Sequence, residues 1–455
     1  MSDALLTGPF LDFGLSYWDS DLVTSEHPGL LAKGFQPVGR FGIGFFSVFM
    51  LGDIVRITTR PFREAQRETR VLEFSSGVSL VPLLRFAEGE DQLRDGGTRV
   101  EVLLRKPPSD ESGLLNLVRT NAPRVLPSLI RYLCPASTVN IRVSESDGPL
   151  ADVVCGDDWR TMSGDKLIKR CNINASNVDA KRLGTRVRDI HDASKSLVGR
   201  AAVYSWMEVA GRGSEVDGLT AVGGFRASSL DGIAGLLFAQ PLTADRSQAL
   251  PLADGEELAN WATVQGELML ADWDDIRDSE GLMDGAGVVY ACGGDTGKLP
   301  ICLSAEGWLD AENLASWVRK KKEVLLIDTQ FLRDSYRFVD EFKLFDSVLV
   351  VKEWSQPVSL KQLGLWPTSD PAANRWWRQY QRTLKGLAVN ILAKLWCVSV
   401  DDVLLASEFT YADHWVFRDI GTAAGKELNE SVDVIRRPGI APILERRHKR
   451  TKRGK

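Results

Sequence analysis

An α+β fold class is predicted for the first part of this 455-residue chain, and three observations predict it. Four segments between Ile54 and Arg105 are rich in β-branched residues and alternate with period two, as strands with one buried face do. They are "IVRITTR" (Ile54 to Arg60), "RVLEFSS" (Arg70 to Ser76), "VSLVPLL" (Val78 to Leu84) and "TRVEVLLR" (Thr98 to Arg105). An apolar run, Phe41 to Leu51, stands just before them and reads as a buried helix from about Gly42 to Gly52. A helical stretch from Gly113 to Leu133, interrupted at Pro123 and Pro127, follows them. The three together describe helices layered on one face of a mixed or antiparallel sheet.

The remaining elements follow in chain order. Asp3 to Phe13 reads as a helix with Ser2 as N-cap. Gly14 to Val38 is loop-like, rich in Ser, Asp, Pro and Gly. "STVNIRVS" (Ser137 to Ser144) opens an α/β middle region that continues to about Tyr290. "GWLDAENLASWVRKKKEVLLID" (Gly307 to Asp328) reads as a helix then a strand, and Ala372 to Leu405 is helix-rich. The expected domains are residues 1–135, 136–290 and 291–455.

Composition narrows the function classes. A net charge of -5 gives no global attraction to nucleic acid or anionic membrane. The apolar run Phe41 to Leu51 is shorter than the roughly 20 residues that span a bilayer. No basic segment followed by an apolar core opens the chain, so a cytoplasmic location is expected, with no membrane partner. The six cysteines lie far apart with no C-x-x-C, which favours buried free thiols over a zinc site or disulfides. The 13 tryptophans, including the pair Trp376 and Trp377, are scattered as core or interface fillers.

"QPVGRFGIGFFSVFML" (Gln36 to Leu51) is the stretch with chemistry in it. Backbone N–H groups at a helix start carry partial positive charge, and glycines let several approach one anion. Spacing alone leaves two readings open, a phosphate-cradling loop and a close-packed turn. Two well-known loops are excluded. The order here is G-x-x-G-x-G, not G-x-G-x-x-G, and Ser47 stands where a third glycine would fall. "CGGDTGKL" fails as a P-loop, since Cys292 replaces the first glycine and Leu299 the hydroxyl residue. It reads as a surface turn.

"VGRFGIGFFSVFMLGDIVRITTR" resembles the second glycine box of the GHKL ATPases, in the form found in the HtpG-type (heat shock protein 90) chaperones. The match covers the glycines, both flanking phenylalanines, Ser47 and Asp53. "GGTRVEVLLR" resembles the family's G-T box about 55 residues further on. The resemblance spans roughly residues 1–135 and implies a partial Bergerat ATP-binding layer. It implies that Gly39, Gly42, Ile43, Gly44, Phe41 and Phe45 form the phosphate loop. The amides of Gly42 to Phe45 would cradle the phosphates, and Arg40 would pair with them. Thr98 would contact adenine through water. "LTADRSQAL" (Leu242 to Leu250) resembles the chaperone segment whose arginine reaches the γ-phosphate, which singles out Arg246, although an ordinary salt-bridged arginine is the competing reading.

The family uses ATP and Mg²⁺ and carries two further boxes upstream. One supplies a water-activating Glu and a Mg²⁺-holding Asn; the other, D-x-G-x-G-M, anchors adenine. Neither is among the 37 residues before Val38, so hydrolysis by this chain alone is not expected. "LDFGLSYW" (Leu11 to Trp18) resembles the segment after D-x-G-x-G-M. The resemblance implies a protein client or partner, with a homodimer left open. Two other classes stay open: a nucleotide-independent interaction scaffold, and a nucleic-acid-associated GHKL protein. The second has one support, the basic tail "RRHKRTKRGK" (residues 446–455), which also reads as a solvated tail. Met1 is expected to be the internal methionine of D-x-G-x-G-M. Sequencing upstream of its codon should reveal an in-frame Asp-x-Gly-x-Gly; a stop codon directly upstream would contradict this.

Overall fold

The computed structural model describes residues 1–30, 37, 39, 41–116, 125–146, 148–172, 174–205, 208–209, 216–246, 248–272, 279–328, 342–344, 346–352, 375–411, 417–419 and 431–440. Arg40, the basic tail and residues 117–124 of the expected helix lie outside them. The described residues form a mixed α+β protein. They divide into two compact units: residues 1–157 with 222–225 and 243–247, and the rest.

The first unit opens with α1 (Asp3–Thr7), capped by the Ser2 hydroxyl, which accepts from the Leu5 N–H. The helix stops far short of Phe13 because Gly8 and Pro9 follow it, and proline supplies no N–H to continue the ladder. α2 (Asp21–Glu26) comes next. Strands β1 (Ile54–Arg60), β2 (Arg70–Phe74), β3 (Leu83–Phe86) and β4 (Gly97–Leu103) form an antiparallel sheet in the order β3-β2-β1-β4. β3 begins only after Pro82, which cannot donate to the sheet.

The two faces of this sheet differ. Val55, Ile57, Leu72 and Phe74 are buried on one face with Leu6 of α1 against them. On the other, Arg56, Glu73, Arg85, Asp91, Arg99 and Glu101 form a lattice of ion pairs. Residues Phe45–Met50 form a short 3-10 helix, not the buried α-helix expected from Gly42 to Gly52, and none of its side chains is fully buried. The reason is one-sided packing. Phe45, Val48 and Phe49 rest on the apolar face, while Ser47 and Met50 point to solvent. α3 (Leu126–Leu133) and the hairpin β5 (Ile141–Val143) and β6 (Ala151–Val154) complete the unit.

The second unit holds two six-stranded sheets. One is built on Ile233–Pro241, parallel to Gly218–Val222 and antiparallel to Leu197–Val203. The other is built on Glu323–Asp328, parallel to Val348–Val351 and antiparallel to Ser431–Arg436. A single core cluster from Ile190 to Ile435 joins both to the helices Gly255–Asp272, Ser279–Ala291 and Leu384–Trp396, and crosses residue 290 without a break. Trp376 belongs to this core, stacked on Phe409 and donating to Asp433 at 3.0 Å. Among the described residues, no helix is long and apolar enough to cross a membrane.

Buried polar groups in this unit hold the layers in place. Gln265 accepts from the Val203 N–H at 3.0 Å and donates to the Arg186 carbonyl at 2.9 Å. Glu208 takes Arg186 at 2.6 Å and Arg182 at 2.9 Å, and both Glu208 and Arg186 are buried. Removing that carboxylate takes the nearest counter-charge from the fully buried Arg186, leaving it only Asp272 at 3.6 Å, while the partly exposed Arg182 keeps Asp179. Glu208→Ala is expected to lower unfolding free energy by about 3–5 kcal/mol, measured by urea denaturation; a loss under about 1 kcal/mol would show that the charges find water instead.

Candidate functional site

The sequence-predicted site lies in the first unit, and its residues have different structural reasons. Gly42 has φ +63°, and a Cβ there would stand 2.4 Å from the Leu15 carbonyl carbon. Its glycine is therefore required by the close pass of the Leu15 backbone, whatever binds nearby. Gly44 is the opposite case. Its φ is -58°, and a Cβ there would meet nothing within 4 Å. No steric neighbour requires glycine at 44; the space in front of it is open.

The loop's amides are available. Among the described residues, the N–H groups of Gly42, Ile43, Gly44 and Phe45 have no hydrogen-bond acceptor. The carbonyls around them are engaged. Gly39 O accepts from Ser16 Oγ at 3.0 Å, Ile43 O from the Phe46 N–H at 3.1 Å, and Gly44 O from Ser47 Oγ at 2.7 Å. Phe41 is exposed. The Phe45 ring packs on Phe10 and Phe74, with centroids 4.2 and 5.9 Å apart, which fixes the loop to the sheet.

Asp53 and Arg105 close the far end of the 3-10 helix. Arg105 grips Asp53 through two nitrogens at 2.7 and 3.0 Å and donates to the Phe49 carbonyl at 2.9 Å. The hydrogen bonds from Arg105 hold the Asp53 carboxyl below the usual carboxylate range. Upstream, Glu26 of α2 accepts from Tyr17 Oη at 2.8 Å and from Ser2 Oγ, joining α1, α2 and the Tyr17 turn. Burial, then the bond to Glu26, pushes the Tyr17 phenol up to about 12.

Thr98 sits on β4 directly opposite Thr59 of β1, with hydroxyls 2.8 Å apart. Thr59 also touches the Gly97 carbonyl and the Met1 amino group, at 3.1 and 2.7 Å. Sequence reasoning missed Thr59. The signal was present, since "ITTR" and "GTRV" must pair if the strands are antiparallel neighbours. The sheet face that carries Thr98 is open here, and Val100 on that face is 49% exposed. Along β1, Thr59 lies four residues beyond Val55, the partner of Phe74 beneath the Phe45 ring. At about 3.3 Å per residue, the loop and Thr98 stand roughly 13 Å apart along the strand.

Arg246 has φ +59° and lies in the turn after Ile233–Pro241, its guanidinium 5.4 Å over the Phe225 ring. No hydrogen bond or ion pair connects it to the glycine loop or Thr98 among the described residues. "CGGDTGKL" is a turn in which Lys298 is exposed and pairs with Glu312. Two open concavities, of about 570 and 440 Å³, lie in the second unit, the larger lined by Lys181, Arg182 and Asp272, and neither includes a residue of the glycine loop. Among the described residues, no cluster of three His, Cys, Asp or Glu is placed to hold a metal ion. Four cysteines are buried, while Cys155 and Cys397 are exposed. A scan against protein-family models and a search of the curated proteins both return no match to this chain.

The two glycines make opposite predictions for stability. Gly42→Ala should destabilise the first unit by at least about 1–2 kcal/mol, from left-handed backbone and the Leu15 clash. Gly44→Ala should be neutral or stabilising by up to about 1 kcal/mol, because its backbone is already right-handed. Thermal melts of the two variants check this, and equal losses would contradict the geometry.

Proposed function

We propose that the first unit is a GHKL-type nucleotide-binding layer that takes the polyphosphate of ATP on the Gly42–Phe45 amides. The observation that carries the reading is the row of four N–H groups with no acceptor among the described residues, with open space at Gly44. A buried or enclosed loop would satisfy such donors internally; an anion satisfies them here. Adenine would stack over the open face beside Thr98 and Val100, and the separation along β1 suits an extended nucleoside polyphosphate. Mg²⁺, when present, would travel with the phosphates and offset their charge. Binding would order the loop and the Tyr17–Glu26 segment, and that change would be read by a protein partner.

The reading concerns binding and conformational coupling. Within this chain, the loop positions phosphates and Phe45 anchors the loop. No step of hydrolysis is assigned to a residue described here. Arg246 as a γ-phosphate contact stays part of the proposal only if nucleotide moves its turn toward the loop.

A second reading, a nucleotide-independent scaffold, has its own observation. Phe13, Met50, Phe62, Leu80 and Val81 are all exposed apolar side chains on the first unit, and a partner surface would cover those that adjoin one another. Calorimetric titration with Mg²⁺-ATP separates the two. Wild type should bind, and Gly44→Val, whose Cβ would meet nothing within 4 Å and whose methyl groups enter the space an anion needs, should reduce affinity at least about tenfold, the loss of one or two charge-assisted hydrogen bonds. Absence of heat in wild type, or unchanged affinity in a folded Gly44→Val, would favour the scaffold.

A further inference from the structure

The sheet of the first unit has one guarded edge and one open edge. β3, at the guarded edge, is four residues long and follows Pro82. β4, at the other, runs for seven residues without a proline, in unbroken register with β1. Among the described residues, no strand pairs its far side. Alternate N–H and C=O groups of β4 therefore point away from the sheet. Val100 and Leu103 are exposed along it, as is Ile54 opposite Leu103.

Natural edges are commonly defended by lysines, prolines or bulges. β4 carries none of these. Its charges are one cation and one anion, Arg99 and Glu101, placed symmetrically about Val100. Both lie on the charged face of the sheet, where Arg99 touches Asp91 and Glu101 stands opposite Arg56. Consider a second copy laid antiparallel with Val100 opposite the partner's Val100. Arg99 then meets the partner's Glu101, and Glu101 meets the partner's Arg99. Thr98 meets the partner's Val102. Moving the two-fold one residue in either direction sets Arg99 against the partner's Arg99, or Glu101 against the partner's Glu101. Like charges directly opposite are unfavourable. Within β4, only the register centred on Val100 sets both Arg99 and Glu101 against opposite charges.

We propose that β4 is a self-association edge, through which two copies of this chain join their sheets into one continuous antiparallel sheet. Arg99 and Glu101 set the register, and each pair occurs twice because the contact is isologous. One strand pair is a small interface, so the dimer is weak and concentration-dependent. The contact needs no nucleotide, and a failed ATP titration leaves it standing.

Sedimentation of the full-length chain over a concentration series tests it, with R99E, E101R and the double swap R99E/E101R. Wild type should show a reversible monomer–dimer equilibrium. Each single swap should weaken association about tenfold, because two opposite-charge contacts become like-charge contacts. The double swap should restore association. Within one chain Arg99 meets Asp91 and Glu101, and Glu101 stands opposite Arg56; each of the three variants turns two of these three contacts like-charge, so the double swap gains no fold stability over the single swaps. Recovery therefore cannot come from better folding. Val100→Lys, at the two-fold, should abolish the dimer, and circular dichroism shows which variants are folded. A wild type that stays monomeric throughout would overturn the proposal. So would a folded double swap that associates more weakly than both single swaps, or a folded V100K that still dimerises.

Discussion

Packing of Phe45 and Phe49 on Phe74 is the contact on which the rest of the first unit depends. The ring centroids lie 5.9 and 5.0 Å from Phe74, at the Val55 end of the sheet's apolar face. This contact anchors the 3-10 helix by one side only. It holds the glycine loop at a fixed place, with its carbonyls engaged and its amides without acceptors among the described residues. It also covers the face near Val55 and leaves the face near Thr98 and Val100 open. The loop and the open face are thus consequences of one aromatic cluster. Arg105 reinforces it by binding Asp53 and the Phe49 carbonyl, so the 3-10 helix is fixed at both ends.

The second unit is stabilised differently. Its core is continuous from Ile190 to Ile435, and its layers are tied by buried polar groups such as Gln265 and the Glu208–Arg186 pair. Buried ion pairs add little net stability, but they penalise every packing that separates the partners. That suits a platform meant to keep one arrangement. The first unit, with its open sheet face and half-exposed 3-10 helix, is the part with room to change on binding.

Much of the local structure was legible in the sequence. "IVRITTR" forms β1 with the expected limits because its β-branched Ile54, Val55, Ile57, Thr58 and Thr59 favour an extended, half-buried backbone. The Ser2 cap was legible from its side chain, and the helical C-terminal stretch from its apolar period. What proline does was underestimated twice. Pro9 ended α1 early, and Pro82 pushed β3 toward Phe86. Hydrophobicity of the apolar run after the glycines does not say how many sides will be covered, and here only one is. Gly42 and Gly44 looked equivalent in the sequence. Their difference depends on Leu15, 27 residues upstream, and only tertiary approach reveals it. Thr59 and Gln265 likewise acquire their roles from partners that are distant in the chain.

The central claim is that the Gly42–Phe45 amides are donors waiting for an anion. Hydrogen exchange at these four amides, followed by NMR with and without Mg²⁺-ATP, tests it most directly. Without nucleotide they should exchange at close to unprotected rates, since no acceptor among the described residues holds them. With saturating Mg²⁺-ATP they should become protected while the Phe46 amide, already bonded to Ile43, changes least. Protection before nucleotide is added, or none after it, would contradict the account.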